Sequence, residues 1–130
     1  MALPNVAQVK FLDDALSTTT PEAQTLKLFT NSHTPALGDT AGSYTEASGS
    51  GYSAKSLARA SWAGAATVAT LTTKAYPQQT FTFTGTITIY GYFIVGASSG
   101  TLLGAELIYP SGQVFNNTDT LSVIPKIGQV

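Results

Sequence analysis

The clearest pattern in the chain is a strict two-residue alternation. Thr80-Phe81-Thr82-Phe83-Thr84 sets two phenylalanines against three threonines, and Thr86-Ile87-Thr88-Ile89-Tyr90 repeats this with isoleucine. Successive side chains of a strand point to opposite faces, so the alternation predicts half-buried strands. Threonine suits the outward face because its β-branched side chain fits the pleat. Phe81, Phe83, Ile87 and Ile89 are therefore expected in the core. Gly91 interrupts, and Tyr92-Phe93-Ile94-Val95 continues as an apolar run. Such a run predicts a strand covered on both faces, or a bulge at Gly91 that re-aims the chain.

Weaker strand signals flank this centre. Leu26 and Leu28 alternate with Lys27 and Phe29 across residues 25–30. Residues 54–62 alternate moderately, with Leu57, Arg59 and Ser61 on one face and Ser56, Ala58 and Trp62 on the other. Val68, Ala69 and Leu71 sit in a Thr-rich run. Residues 101–109 predict a strand with Leu103, Ala105 and Leu107 on one face. Val114-Phe115 is brief, and Leu121 to Ile127 closes the pattern, with Pro125 confining it to an edge or a bulge. Residues 31–43 read as one long exposed loop, after which Tyr44 and Glu46 could start a short strand. About eight short strands separated by turn signals predict a sandwich or barrel. The expected fold class is mainly all-β: an antiparallel, jelly-roll-like β-sandwich over residues 25–130.

Residues 1–24 differ in period. Leu3, Val6, Val9, Leu12 and Leu16 recur every three or four residues, as on a helix. Val9 and Phe11 also alternate with Gln8 and Lys10, so the segment is expected to be a short helix or mixed arm. Ser17-Thr18-Thr19-Thr20-Pro21 ends it. Termini are poorly ordered unless tied down. Leu3, Val6, Val9, Phe11 and Leu12 are thus candidate interface residues. The blander expectation is that they pack on the chain's own sandwich.

Composition narrows the function classes. The chain has 130 residues, enough for one ordinary domain with its own core. It has no cysteine, which excludes disulfides and thiolate metal sites. Only 10% of residues are charged, with net charge −1, against about 25% charged in typical soluble domains. Either much of the surface sits against neighbours, or a Thr/Ser coat stands in for charge. Lys10, Lys27, Lys55, Arg59, Lys74 and Lys126 are scattered, without the basic footprint of nucleic-acid binding. No apolar run is long enough for a membrane helix, and Met1-Ala2-Leu3-Pro4 lacks the basic and apolar regions of a secretory signal. Neither nucleic acid nor membrane is an expected partner. Without such a signal, the Asn116-Asn117-Thr118 glycosylation sequon carries no weight.

Candidate chemistry is sparse. His33, the single histidine, needs a nucleophile and an orienting carboxylate converging on it to be catalytic. Asp39 is close in sequence, yet no nucleophile elbow accompanies it, so His33 is expected as an exposed loop histidine. Asp13-Asp14 are neighbours and do not face one spot. Asp39, Glu46 and Asp119 could gather around a hard cation, but no calcium-type ligand loop is visible. Gly49-Ser50-Gly51 and Gly96-Ala97-Ser98-Ser99-Gly100 lack the Lys-Ser/Thr ending of a phosphate loop and read as turns. Trp62, Tyr90, Tyr92, Phe93 and Tyr109 could stack sugars or bases, but alternating aromatics usually belong to the core or a subunit interface. The expectation is no catalytic residue, no cofactor and no metal.

One larger pattern spans residues 25–127. It begins Thr25-Leu26-Lys27-Leu28-Phe29-Thr30-Asn31, Thr34-Pro35, Gly38-Asp39-Thr40-Ala41 and Tyr44-Thr45-Glu46-Ala47. It continues through Gly51-Tyr52-Ser53-Ala54-Lys55-Ser56-Leu57, Ala60-Ser61-Trp62, Gln79 to Gly85 and Ile89 to Val95. Ser99-Gly100-Thr101-Leu102-Leu103 and Val123 to Ile127 complete it. In order and spacing these blocks resemble small virion structural proteins of tailed phages and prophages. The resemblance implies a β-sandwich that assembles on a capsid or in a tail, and no catalytic residues. Gly104-Ala105-Glu106 departs from it, lacking a bulkier aromatic before the acid, so no contact is carried over there. Three roles follow. The first is capsid decoration: a homo-oligomer, expected as a trimer, made in the host bacterial cytoplasm and seated among major capsid protein subunits on the virion surface. The second is a tail, neck or fibre-base protein. The third is a host-surface carbohydrate-binding or hydrolytic module.

Overall fold

The computed structural model describes residues 3–16, 21–62, 66–68 and 71–129. The Ser17–Thr20 break and Ala69 lie outside the described residues. One helix, α1 (Asn5–Leu16), precedes β1 (Gln24–Phe29), β2 (Lys55–Leu57), β3 (Ala66–Val68), β4 (Leu71–Ala75) and β5 (Gln79–Thr82). Then come β6 (Ile87–Ile89), β7 (Gly91–Gly96), β8 (Leu102–Leu107), β9 (Gln113–Phe115), β10 (Thr120–Val123) and β11 (Lys126–Gln129). The protein is mainly β, with antiparallel sheets and one short helix. The four-stranded sheet runs β2-β1-β7-β8; the others are β11-β4-β3, β10-β5 and β6-β9. These are more strands than the sequence suggested. One reason is that Leu121 to Ile127 is two strands, divided at the fully buried Pro125, whose carbonyl accepts the Tyr76 N–H at 2.9 Å.

The alternating side chains lie where the pattern placed them. Phe81, Phe83, Ile87 and Ile89 are buried, joining Phe115, Leu121 and Val123 of β9 and β10. Leu26 and Leu28 of β1, with Tyr92 and Ile94 of β7, complete this larger cluster from one face of the four-stranded sheet. From the other face Phe29, Phe93 and Val95 meet Leu102, Ala105 and Tyr44 in a second cluster. β7 is buried along its whole length, which accounts for its unbroken apolar run.

Three local readings are corrected. The bulge lies between Ile94 and Val95, opposite Leu102–Gly104, and not at Gly91. It breaks the alternation of β8: Leu103 turns to the larger cluster, while Leu102 and Ala105 share the second. Gly91 instead permits close approach, because a Cβ there would collide with the Glu106 carbonyl and the Phe29 ring. Residues 54–62 are not one alternating strand. β2 ends at Leu57, the Ala58 N–H donates to the Tyr76 hydroxyl at 3.0 Å, and a 3-10 turn follows at Arg59–Ser61 with Arg59 and Ser61 exposed.

Two substitutions test this packing. Phe83→Ala should cost ~3–5 kcal/mol, as expected for a fully enclosed ring. Gly91→Ala adds a single methyl but should cost at least about 1–3 kcal/mol through overpacking. Urea unfolding of both variants checks the pair; a neutral Gly91→Ala would mean that β7 and β8 are not so closely apposed.

Candidate interaction surface

α1 begins where Pro4 can cap but not extend it. The Pro4 carbonyl accepts the N–H groups of Ala7 and Gln8 at 3.0 and 3.1 Å, and the Gln8 side chain donates back to the Leu3 carbonyl. Ala7 and Phe11 lie on one side of the helix, and with Leu3 they pack on the larger cluster. Val6 leans on the second cluster. Val9, Leu12 and Leu16 fall within an arc of about 60° on the opposite side. They form an outward apolar ridge, 61%, 61% and 83% exposed. Asn5, Val6, Val9, Lys10 and Asp13 line a shallow open groove with Thr101, just before β8. The charges largely face the other way. Lys10 pairs with Asp14 at 2.7 Å and with Glu22 at 3.7 Å, on the body side.

The five candidate interface residues therefore separate. Leu3 is part of the core, Val6 and Phe11 are half-buried against the chain's own body, and Val9 and Leu12 face outward. Leu16 joins the outward pair. Its place in the stripe was legible, but the sequence could not say which of two apolar sides the body would take.

Two carboxylates organise the ground around the helix. Glu22 accepts the Ser98 and Ser99 N–H groups at 2.6 and 2.8 Å and the Ser99 hydroxyl, fixing the β7–β8 turn. Burial pushes its carboxyl up, but the Ser99 hydroxyl, the two backbone donors and Lys10 outweigh burial and hold it below its usual range. Asp39 is the second, and it is the exception in a loop that is otherwise exposed or half-exposed: Asp39 is only 7% exposed. Its Oδ2 accepts the Tyr44 hydroxyl at 2.7 Å and the Ala36 N–H at 2.9 Å, and it pairs with His33 Nε2 at 2.9 Å. Burial again works upward, and the Tyr44, Ala36 and His33 contacts bring the carboxyl below its usual range. Tyr44 stacks on Phe93 at 5.2 Å and meets Phe29 edge-on at 5.0 Å. The 31–46 loop thus folds back as a cover over the second cluster, because the aromatic face of β1 and β7 needs one.

His33 is half-buried, and its contacts are Asp39 and the Tyr44 ring, edge-on at 5.1 Å. Through Asp39 it is joined to Ala36 and Tyr44, which fastens the loop to itself. Asp39, Glu46 and Asp119 do not converge. Glu46 pairs with Lys27 and accepts the Tyr52 hydroxyl, while Asp119 accepts the Asn116 N–H. Among the described residues no group of three metal-ligating side chains comes together. Nor do the aromatics make a platform. Tyr92 and Phe93 are buried on opposite faces of β7, and Trp62 lies edge-on to Tyr76 with its indole N–H on Gln24. Asp13 and Asp14 part as neighbours on a helix do, with Asp14 on Lys10 and Asp13 exposed. Compared with protein-family models, curated proteins and solved structures, the chain finds no match.

These groups give the fold a two-sided pH dependence. Asp39 and Glu22 titrate lower in the folded chain than in the unfolded one. Their stabilisation is complete above about pH 4, the unfolded carboxylate value, and is lost as pH falls through their folded values. Burial pushes the Tyr44, Tyr52 and Tyr92 hydroxyls up, with Asp39, Glu46 and Glu106 adding to it. Unfolded tyrosine ionises near pH ~10, so stability should fall as pH rises beyond that. Denaturation midpoints across the pH range, with tyrosinate absorbance on the alkaline side, test both limbs. A profile that stays flat into acid would remove Asp39 and Glu22 as anchors. Asp39→Ala should cost ~1–3 kcal/mol at neutral pH, by leaving buried donors without an acceptor.

Proposed function

We propose that this chain is a structural protein of a tailed-phage virion, a decoration protein that seats on the outside of the capsid and stabilises it. The observation that carries this reading is the exposed apolar ridge Val9, Leu12 and Leu16, on a chain with only 10% charged residues. A free monomer gains nothing from turning three aliphatic side chains to water while its charged Lys10 and Asp14 turn inward. A chain that docks on a protein neighbour does gain, because burying apolar area is the main favourable term in association. The resemblance of residues 25–127 to phage virion proteins implies assembly on a capsid or in a tail, and the neighbour in this reading is the major capsid protein. In this reading the four-stranded sheet and the β5–β10 and β6–β9 pairs are the two layers of a jelly-roll-like sandwich. The copies assemble as trimers, and His33 and Asp39 serve folding, with no enzymatic role.

The contact is then Val9, Leu12 and Leu16, rather than the whole segment. Each side chain buried on a shell would contribute roughly 1.5–3 kcal/mol. A Val9→Asp/Leu12→Asp chain should thus keep its fold and lose at least about tenfold in affinity for purified shells. It should also fail to raise their resistance to heat. Wild-type protein that ignores shells altogether would make the tail or neck reading the better one. Copy number per virion separates the two independently, since a shell protein is far more abundant than a neck protein.

A further inference from the structure

We propose that α1 and residues 31–44 form one detachable flap, held in shape by the Asp39 carboxylate and tied to the body through Glu22, and released as a unit in acid while the β core stays folded. The inference is independent of the virion reading and rests on how the two segments are joined. Asp39 draws His33, the Ala36 N–H and Tyr44 onto one carboxylate oxygen, which sets the course of the loop between them. That course presents the Leu37 carbonyl to the Asn5 N–H at 2.9 Å, at the first turn of α1. Val6, one residue on, packs on the cluster that Tyr44 covers. The start of the helix is thus held by the loop, and the loop by Asp39.

Further along, α1 is held by Glu22. Lys10 spans Asp14 of its own helix and Glu22 of the body, and Glu22 in turn holds the Ser98–Ser99 turn. The charged and titratable groups acting on the two anchors are His33 and Tyr44 at Asp39, and Lys10, with Asp14 beyond it, at Glu22. Protonating the carboxylates removes acceptors from both anchors and leaves Lys10 without its body-side counter-charge. Protonation of His33 alone would strengthen its contact with Asp39, so the release belongs to the carboxylates. α1 pairs with no strand, and among the described inward side chains only Leu3, just before the helix, and the small Ala7 are buried, with Val6 and Phe11 half-buried. The β7 ladders with β1 and β8, and the Thr30–Thr45 and Ala47–Leu28 contacts that tie the end of the loop to β1, are backbone hydrogen bonds that do not titrate, so Thr45 and Glu46 stay with the sheet. Segments with few buried apolar contacts open below the global unfolding free energy. Opening this one would uncover Phe29, Phe93 and Val95, and the part of the larger cluster that lies under Leu3, Ala7 and Phe11.

The test is amide hydrogen exchange, read peptide by peptide on the full chain at neutral pH, for wild type, Asp39→Asn and Glu22→Gln. In wild type, residues 3–16 and 31–44 should share one opening free energy below that of residues 79–96, and either substitution should speed exchange in both segments by about tenfold or more. If Asp39→Asn loosens only the loop, or Glu22→Gln only the helix and its turn, the segments are not one flap. If neither variant changes exchange, the carboxylates are not its fastenings. If the flap peptides of wild type are as well protected as residues 79–96, the opening is global unfolding and the proposal fails. Should a variant not fold, brief acid exposure of wild type near pH ~3 gives the same decision. Flap peptides must lose protection before strand peptides, and simultaneous loss overturns the idea.

Discussion

A strand with no wet face has to be covered twice, and β7 imposes that requirement on the whole molecule. It pairs with β1 on one side and β8 on the other, and its side chains alternate between two cores. On one face the Thr/apolar strands β5, β6, β9 and β10 supply the cover, with their threonines left outside. On the other face, among the described residues, no further strand pair contributes to the cluster. The 31–46 loop covers it, with Val6 of α1 at its margin, and a loop can be buried only if its polar groups find partners. Asp39 meets that condition by accepting from Tyr44, Ala36 and His33 at once. The two sides of the sheet are therefore closed by different means: one by an apolar core between strands, the other by aromatics under a carboxylate fastening.

That difference bears on how the surface is used. The Thr-lined strands provide a neutral outer face that needs few charges to remain wetted. Thr80 and Thr82 of β5 stand opposite Ser122 and Thr120 of β10, with the Thr80 and Ser122 hydroxyls 3.1 Å apart. α1 has the opposite character: aliphatic side chains outward and an ion pair turned toward the body. A helix so oriented holds its charges against the body and keeps an apolar ridge in water. Its N-terminal turn, its Lys10 contact and its half-buried Phe11 fix it inward, and the ridge remains for whatever it meets.

The strand alternation was determined by the sequence itself, and the double cover of β7 and the helix of the first segment were each one of two readings it left open, because all rest on the periods of about 2 and 3.6 that local geometry imposes. Phe81, Phe83, Ile87 and Ile89 needed nothing more than that periodicity to be placed in a core. Only the tertiary structure decided the rest. Which side of α1 faces water depends on where the body lies, since both sides carry apolar residues and period alone cannot choose between them. Leu103 left its alternation because a bulge in β7–β8 pairing shifts the register there, and a bulge is a property of two strands together. The meeting of His33, Asp39 and Tyr44 depends on a loop folding back over Phe29 and Phe93. In sequence they are three polar residues in a turn-rich stretch, and only the aromatic face beneath them makes Asp39 a buried anchor.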